Sequence, residues 1–369
     1  MQALLQNLIY GIQLGALYAL IALGYTMVYG VLRLINFAHG EVYMIGAFMG
    51  FYACTRWLPF QDLSRHPDAA WQNISWAIVA LILAMSLCAV LGMLIERFAY
   101  RPLRNGLNQI DAHFWGFVAA FWVTMRSVSP MFSLRGITLF LFTGIVAGFI
   151  LRQVVRRISH RGAPATPRLN ALITAIGVSL LLQNGGILVF GSENNFIPNV
   201  VPERTFALPG GIQVDSGRTT MLVLSLVLMA ALRYIVLHTR RGKAMRAISH
   251  DIEAAKLMGI DTDRVISFTF ALGGALAGAA GAMVAALTHV KITPLFGVMP
   301  GLKAFVAAVL GGAGNIPGAV AGGVLMGVAE TFVAAHYSTL RDAIAFVVLI
   351  LILLVRPAGL FGRSVPEKV

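Results

Sequence analysis

The chain has 369 residues, 28 Lys and Arg against 15 Asp and Glu, a formal charge of +13 and a mean hydropathy of +0.80. Only 12% of its residues are charged and 58% are apolar, whereas a soluble domain carries about 25% charged residues with which to meet water. This excludes a soluble enzyme of such length, and it turns the basic excess from a sign of nucleic-acid binding into a question of membrane topology.

A helix needs about 20 apolar residues to cross about 30 Å of hydrocarbon. Such stretches fall at 5–31, 36–54, 74–95, 170–190, 220–237, 265–288 and 343–355. The first lacks a basic leader and is too long for a signal peptide, so it reads as a retained helix. Residues 114–151 are apolar but broken by Arg126, Pro130 and Arg135. Residues 304–332 are apolar but contain the run Gly311-Gly-Ala-Gly-Asn-Ile-Pro-Gly318, which predicts a re-entrant or broken helix pair turning near Asn315. The sum is an all-α, polytopic transmembrane helix bundle of about ten or eleven spans. Cys54 and Cys88 both lie in apolar runs and offer no disulfide framework.

Charge sets the expected orientation. The loops 96–104, 152–168 and 239–264 and the tail from Arg356 are basic, while 56–73 and 191–219 are not. Placing the basic segments inside puts 19 of the 28 Lys and Arg, Arg33 among them, on the cytoplasmic face. The N-terminus then falls outside, and the Asn315 turn falls near the cytoplasmic face.

Two constellations could carry function. The first is Asn36, His39 and Glu41, between two apolar runs. Asn36 can cap the following helix, with Glu41 favoured at its positive end. The same polar groups can instead line a translocation path or a subunit seam, because ionisable groups within membranes are costly and are kept for use. The second is the segment 240–264, where Ala247, Ile248, Ile252, Ala255 and Met258 or Gly259 recur at helical spacing. A short amphipathic helix there would dock on a partner or lie on the lipid surface. Carboxylates within spans are nearly lacking, with Glu41, Glu96 and Glu330 near segment ends. No phosphate-binding Gly-x4-Gly-Lys-[Ser/Thr] run, metal-ligand spacing or catalytic array occurs, so no enzyme chemistry and no cofactor is expected, and the driving energy is expected from another chain.

The runs Ala19-Leu-Ile-Ala-Leu-Gly-Tyr-Thr-Met-Val-Tyr-Gly30 and Ile35-Asn-Phe-Ala-His-Gly-Glu-Val-Tyr-Met-Ile-Gly46 resemble the branched-chain amino-acid permeases of bacterial ABC importers, LivH type. So do Glu96-Arg-Phe-Ala-Tyr-Arg-Pro-Leu-Arg104, Ala175-Ile-Gly-Val-Ser-Leu-Leu-Leu-Gln-Asn184, Met258-Gly-Ile-Asp-Thr-Asp-Arg-Val265, the run from Lys303 to Gly318, and Arg356-Pro-Ala-Gly-Leu-Phe-Gly362. The resemblance implies a single permease domain over 1–369 in the bacterial inner membrane. It also implies a second homologous permease subunit, two cytoplasmic ATP-binding subunits and a periplasmic substrate-binding protein. The spacing Glu253-Ala254-Ala255-x3-Gly259 looks like the coupling loop of such permeases, within 239–264, with Arg246, Asp251, Asp263 and Arg264 beside it. Asn36, His39, Glu41, Gln183 and Asn184 are the residues expected on the path or the subunit interface. Residues 106–167 depart from the family pattern as an insertion, expected to form a peripheral hairpin. Related permeases for urea or short amides, and a passive channel working alone, are the rival readings.

Overall fold

The computed structural model describes residues 2–61, 63, 66–102, 167–197, 204–208, 211–288 and 290–362. Numbered through these residues, the helices are α1 (Gln2–Leu32), α2 (His39–Tyr52), α3 (Ala70–Ile95), α4 (Pro167–Phe190), α5 (Ser216–His238), α6 (Arg240–His250), α7 (Ile252–Leu257), α8 (Thr262–Leu287), α9 (Val298–Gly311), α10 (Ile316–His336) and α11 (Ala343–Val355). A π-helical turn extends α2 over Ala53–Trp57, and another follows α3 over Glu96–Tyr100. Six helices, those at α1, α3, α4, α5, α8 and α10, are long and apolar enough to cross a bilayer. With α9 and α11 as shorter apolar helices and α2 packed among them, they form a polytopic membrane bundle. The expected spans match these helices closely. The stretch 114–151 and almost all of the 106–167 insertion lie outside the described residues.

The chain divides into two units, residues 1–93 with 175–369, and residues 94–174. In the smaller unit the described elements are the end of α3, its π-helical turn and the first turns of α4. The larger unit is built round α1 and α8, whose side chains are mostly buried. By contrast, α3, α5 and α11 present exposed apolar residues such as Ile82, Leu226 and Ile350. A helix apolar all round sits inside a bundle, or between the bundle and lipid.

Glycine makes the centre possible. A Cβ added at Gly15 of α1 would lie 2.6 Å from Val324 Cα of α10. One added at Gly46 of α2 would lie 2.5 Å from Gly278 Cα of α8. The helices therefore meet backbone to backbone, the close approach that small residues allow in lipid.

The Gly-rich run breaks as expected. α9 stops at Gly311, Gly312 and Gly314 take positive φ (103° and 92°), and Asn315 caps α10 by accepting from Gly318 N at 3.1 Å. Pro317 stands in the first turn of α10, where no intrahelical donor is lost. At 14 residues, α9 is only about 21 Å long.

Two contacts fix the ends of the bundle. The start of α1 lies beside a small hairpin, with Gln2 Nε2 donating to Gly211 O and Gln6 exchanging two bonds with the backbone of Gln213. Its last turns approach the 312–315 turn, Gly30 standing next to Gly314. The segment 239–264 is at that second end, opposite the hairpin. The hairpin itself, β1 (Thr205–Leu208) antiparallel to β2 (Ile212–Asp215), is an addition to the expected all-α fold. Its strands are four residues long, and Gly211 turns at φ 76°.

Candidate functional site

The segment 239–264 is not one amphipathic helix. Asp251 interrupts it in extended conformation and caps α7, its Oδ1 accepting from Glu253 N (2.9 Å) and Ala254 N (3.0 Å). A carboxylate at a helix N-terminus satisfies orphan donors and meets the positive end of the dipole. Gly259 then turns the chain at φ 80° with no atom within 4 Å of an added Cβ, a conformation natural to glycine. Asp261 caps α8 through Arg264 N (3.1 Å), and its other oxygen pairs with the Arg264 guanidinium (2.9 Å). Asp263 follows in the first turn of α8. Thr239 starts α6 by accepting from Gly242 N, and the Arg246 guanidinium donates back to Val236 O.

The result is a short, capped and exposed projection. Ile248 and Ala255 are buried, as the apolar stripe predicts, but Met258 is 82% exposed and Leu257 88%. Met258 leaves the stripe because α7 ends at Leu257 and Met258 is its C-cap, just ahead of the turn at Gly259. Glu253 and Ala254 face water, with Glu253 paired to Lys256 at 3.0 Å. Leu257 and Met258 thus stand as two large exposed apolar side chains beside charged neighbours.

Inside the bundle, Asn36, His39 and Glu41 are all buried. Asn36 Oδ1 accepts from Ala38 N at 3.2 Å, bracing the turn ahead of α2, whose own cap position is Ala38 with no side-chain bond. His39 packs edge-on to Tyr25, ring centroids 4.7 Å apart, and against Gly24, where a Cβ would collide with the imidazole. Glu41 sits in the first turn of α2 and accepts from Ser179 Oγ of α4 at 3.3 Å. Three buried acceptor or donor atoms here, His39 Nε2, Glu41 Oε2 and Thr26 Oγ1, have no partner among the described residues. Buried polar atoms in native proteins are otherwise nearly always paired.

Gln183 and Asn184 are not brought to this group. Asn184 is exposed and its amide donates to Leu180 O of its own helix, while Gln183 is half-buried. The residue of α4 that does reach the constellation is Ser179, one helical turn earlier.

Glu330, expected near a segment end, carries a feature that position alone does not predict. It is fully buried in α10, six residues before the helix ends. Its Oε1 accepts from Lys303 Nζ (2.9 Å) and Arg341 Nε (2.7 Å), and its Oε2 from Tyr18 Oη (2.7 Å). Lys303 also pairs with Asp342 Oδ1 at 2.6 Å. Two cations and two anions thus join α1, α9, α10 and the turn before α11. Burial is affordable here because each charge is opposed. Both carboxylate oxygens of Glu330 are engaged, so the group is a clamp and not an open ligand. The bond to Glu330 raises the Arg341 pKa, holding its charge more firmly. Sequence spacing hid the pair: Lys303 and Glu330 meet only because the 312–315 turn folds α9 onto α10.

Among the described residues no cluster of His, Cys, Asp and Glu could hold a metal ion, and both cysteines are free and buried.

A multi-pass helix bundle with an exposed, capped projection at one end and a buried polar group in its interior is the architecture of a polytopic membrane protein. The family model described as branched-chain amino acid transport system / permease component matches residues 7–110 and 111–353, and the chain belongs to that family. It is 36% identical over 370 residues to the high-affinity branched-chain amino acid transport system permease protein LivH of Salmonella typhimurium, covering 99% of this chain and 97% of the relative. The LivH protein of Escherichia coli K12 gives the same identity and coverage. The permease protein BraD of Pseudomonas aeruginosa is 35% identical, with 99% and 98% covered. No solved structure matches.

Proposed function

We propose that this chain is the permease subunit of an inner-membrane ABC importer that carries branched-chain amino acids. It pairs with a second homologous permease subunit, is driven by two cytoplasmic ATP-binding subunits and is fed by a periplasmic substrate-binding protein. The substrate class follows from what the near-full-length relatives are named for. The observation that supports ATPase coupling is the projection at 251–264, where Leu257, Met258 and Gly259 stand clear of the fold beside Glu253. A protein working alone gains nothing from exposing them.

In this reading, the loaded binding protein docks on 55–73 and 191–219. Closure of the ATPases reaches the bundle through Arg246, Asp251, Glu253, Ala254, Ala255, Gly259, Asp263 and Arg264. The backbone seams let α1, α2, α8 and α10 rearrange. Asn36, His39 and Glu41 are the path or interface residues, with Ser179 added to them. Gln183 and Asn184 would face the second subunit.

The test is reconstitution of the complex of two permease subunits and two ATP-binding subunits in vesicles, with the binding protein and labelled leucine, isoleucine and valine. Gly259→Asp and Glu253→Lys should insert at normal levels but lose uptake and substrate-stimulated ATP hydrolysis. Normal stimulated hydrolysis in both variants would refute the coupling role. Uptake by this chain without the ATPases would refute the importer reading in favour of a passive channel.

A further inference from the structure

The end of the bundle that carries the coupling projection holds a groove of about 970 Å³. It lies between the last turns of α1 and α5, helix α6, the 312–317 turn and residues 357–362. Its charge is one-sided. Arg33, Arg233, Arg246 and His250 line it, and no Asp or Glu does. Arg33 and Arg233 are exposed, and neither has an ion pair among the described residues. Arg33 is the only non-glycine residue with positive φ among the described residues, at 54°. Its amide closes the last turn of α1 on Tyr29 O at 2.8 Å. A side-chain-bearing residue takes that conformation at a cost, and such strain is characteristic of functional positions. A glycine there would end the helix more cheaply but would carry no guanidinium.

The walls are of the opposite character. Val31, Val236, Leu237, Val309 and Leu353 form an apolar face. Leu354 and Val355, next in α11, are 77% and 80% exposed. At the inner end Thr26, almost fully buried, holds a hydroxyl without a partner. A cationic mouth at the end of membrane helices, leading onto an apolar wall, fits an amphiphile with an anionic head. A small soluble anion would use the cations and leave the wall bare.

We propose that this groove binds an anionic phospholipid of the leaflet at the coupling end. Arg33 and Arg233 meet its phosphate, and an acyl chain lies along Val236, Leu237 and Leu353. The lipid ties the ends of α1 and α5 to α6, the first helix of the coupling segment. This assignment does not depend on which solute the permease carries.

The test uses the full-length chain purified in mild detergent and supplied with equal phosphatidylglycerol and phosphatidylcholine, with retained lipid counted by native mass spectrometry. Wild type should retain phosphatidylglycerol in preference. Each cation near an anionic headgroup contributes about fivefold, so Arg33→Gln with Arg233→Gln should weaken retention about 30-fold. The charge-keeping pair Arg33→Lys with Arg233→Lys should hold most of it. Arg56→Gln with Arg204→Gln, which removes two charges outside the groove, should leave phosphatidylglycerol retention as in wild type. Arg233→Gln alone, at an exposed position, should show the fivefold loss even where the double variant does not fold. Equal retention of the two lipids by wild type would overturn the proposal. So would equal loss in the Arg56 and Arg204 control, which would mean bulk attraction. Displacement of the lipid by millimolar inorganic phosphate would overturn it in favour of a free-anion site.

Discussion

Replacing Lys303 with Met removes the cation that Glu330 faces within the bundle. The pair is 2.9 Å apart, with the Lys303 side chain 6% exposed and the Glu330 side chain fully buried. At an effective dielectric of about 20, Coulomb attraction at that distance is about 6 kcal/mol, most of it offset by desolvation. What matters for the single variant is the charge left behind, because an uncompensated buried carboxylate costs about 3–5 kcal/mol. Arg341 remains on Glu330 at 2.7 Å, so the carboxylate is not wholly uncompensated and the lower end, about 3 kcal/mol, is expected; because Arg341 is half exposed, its compensation is only partial. Lys303→Met with Glu330→Leu removes both charges and keeps apolar volume, and should recover most of that loss. The assay is a double-mutant cycle on unfolding midpoints of the purified chain in detergent. A coupling energy of about 2 kcal/mol or more is expected. Additive single effects, or a double variant no more stable than Lys303→Met alone, would refute the clamp.

Other expectations follow from the same geometry. Met258→Asp alters an 82% exposed side chain, so stability should stay within about 0.5 kcal/mol, while co-purification of the ATPase subunits is lost. Gly46→Ala places a methyl 2.5 Å from Gly278 Cα and should cost about 1–3 kcal/mol, read as a lower thermal midpoint. Deletion of residues 106–167 should leave uptake intact at normal membrane levels; loss of transport would assign that insertion a working role.

Much of the bundle was readable because crossing lipid demands long apolar runs, and these stand out in one dimension. The break at Asn315 was readable for a similar local reason, since Gly-Gly-Ala-Gly-Asn-Ile-Pro admits little else. The interruption at Asp251 was not read, although an Asp ahead of an acidic first turn is an N-cap signal. The helical spacing of Ile248, Ile252 and Ala255 ran through it and masked the change of axis. The 205–215 hairpin escaped because four-residue strands leave almost no periodic trace. The Lys303–Glu330 pair escaped because its partners are 27 residues apart and meet only across a folded hairpin. Ser179 escaped for the same reason, since 138 residues separate it from the Glu41 carboxylate that it meets. Motif resemblance locates a helix more surely than it locates the face that the helix turns inward.

The backbone-to-backbone seams also bear on how this sequence can change over time. A leucine on the exposed face of α3 or α11 can drift to isoleucine, valine or phenylalanine and still meet its surroundings. At Gly15 or Gly46 every alternative is larger than the space provided, so no neutral direction exists. One partner cannot shrink to make room, because the atoms opposite are themselves main chain. Divergence among such permeases should therefore collect on the outward faces, while the seams between α1 and α10 and between α2 and α8 hold their glycines.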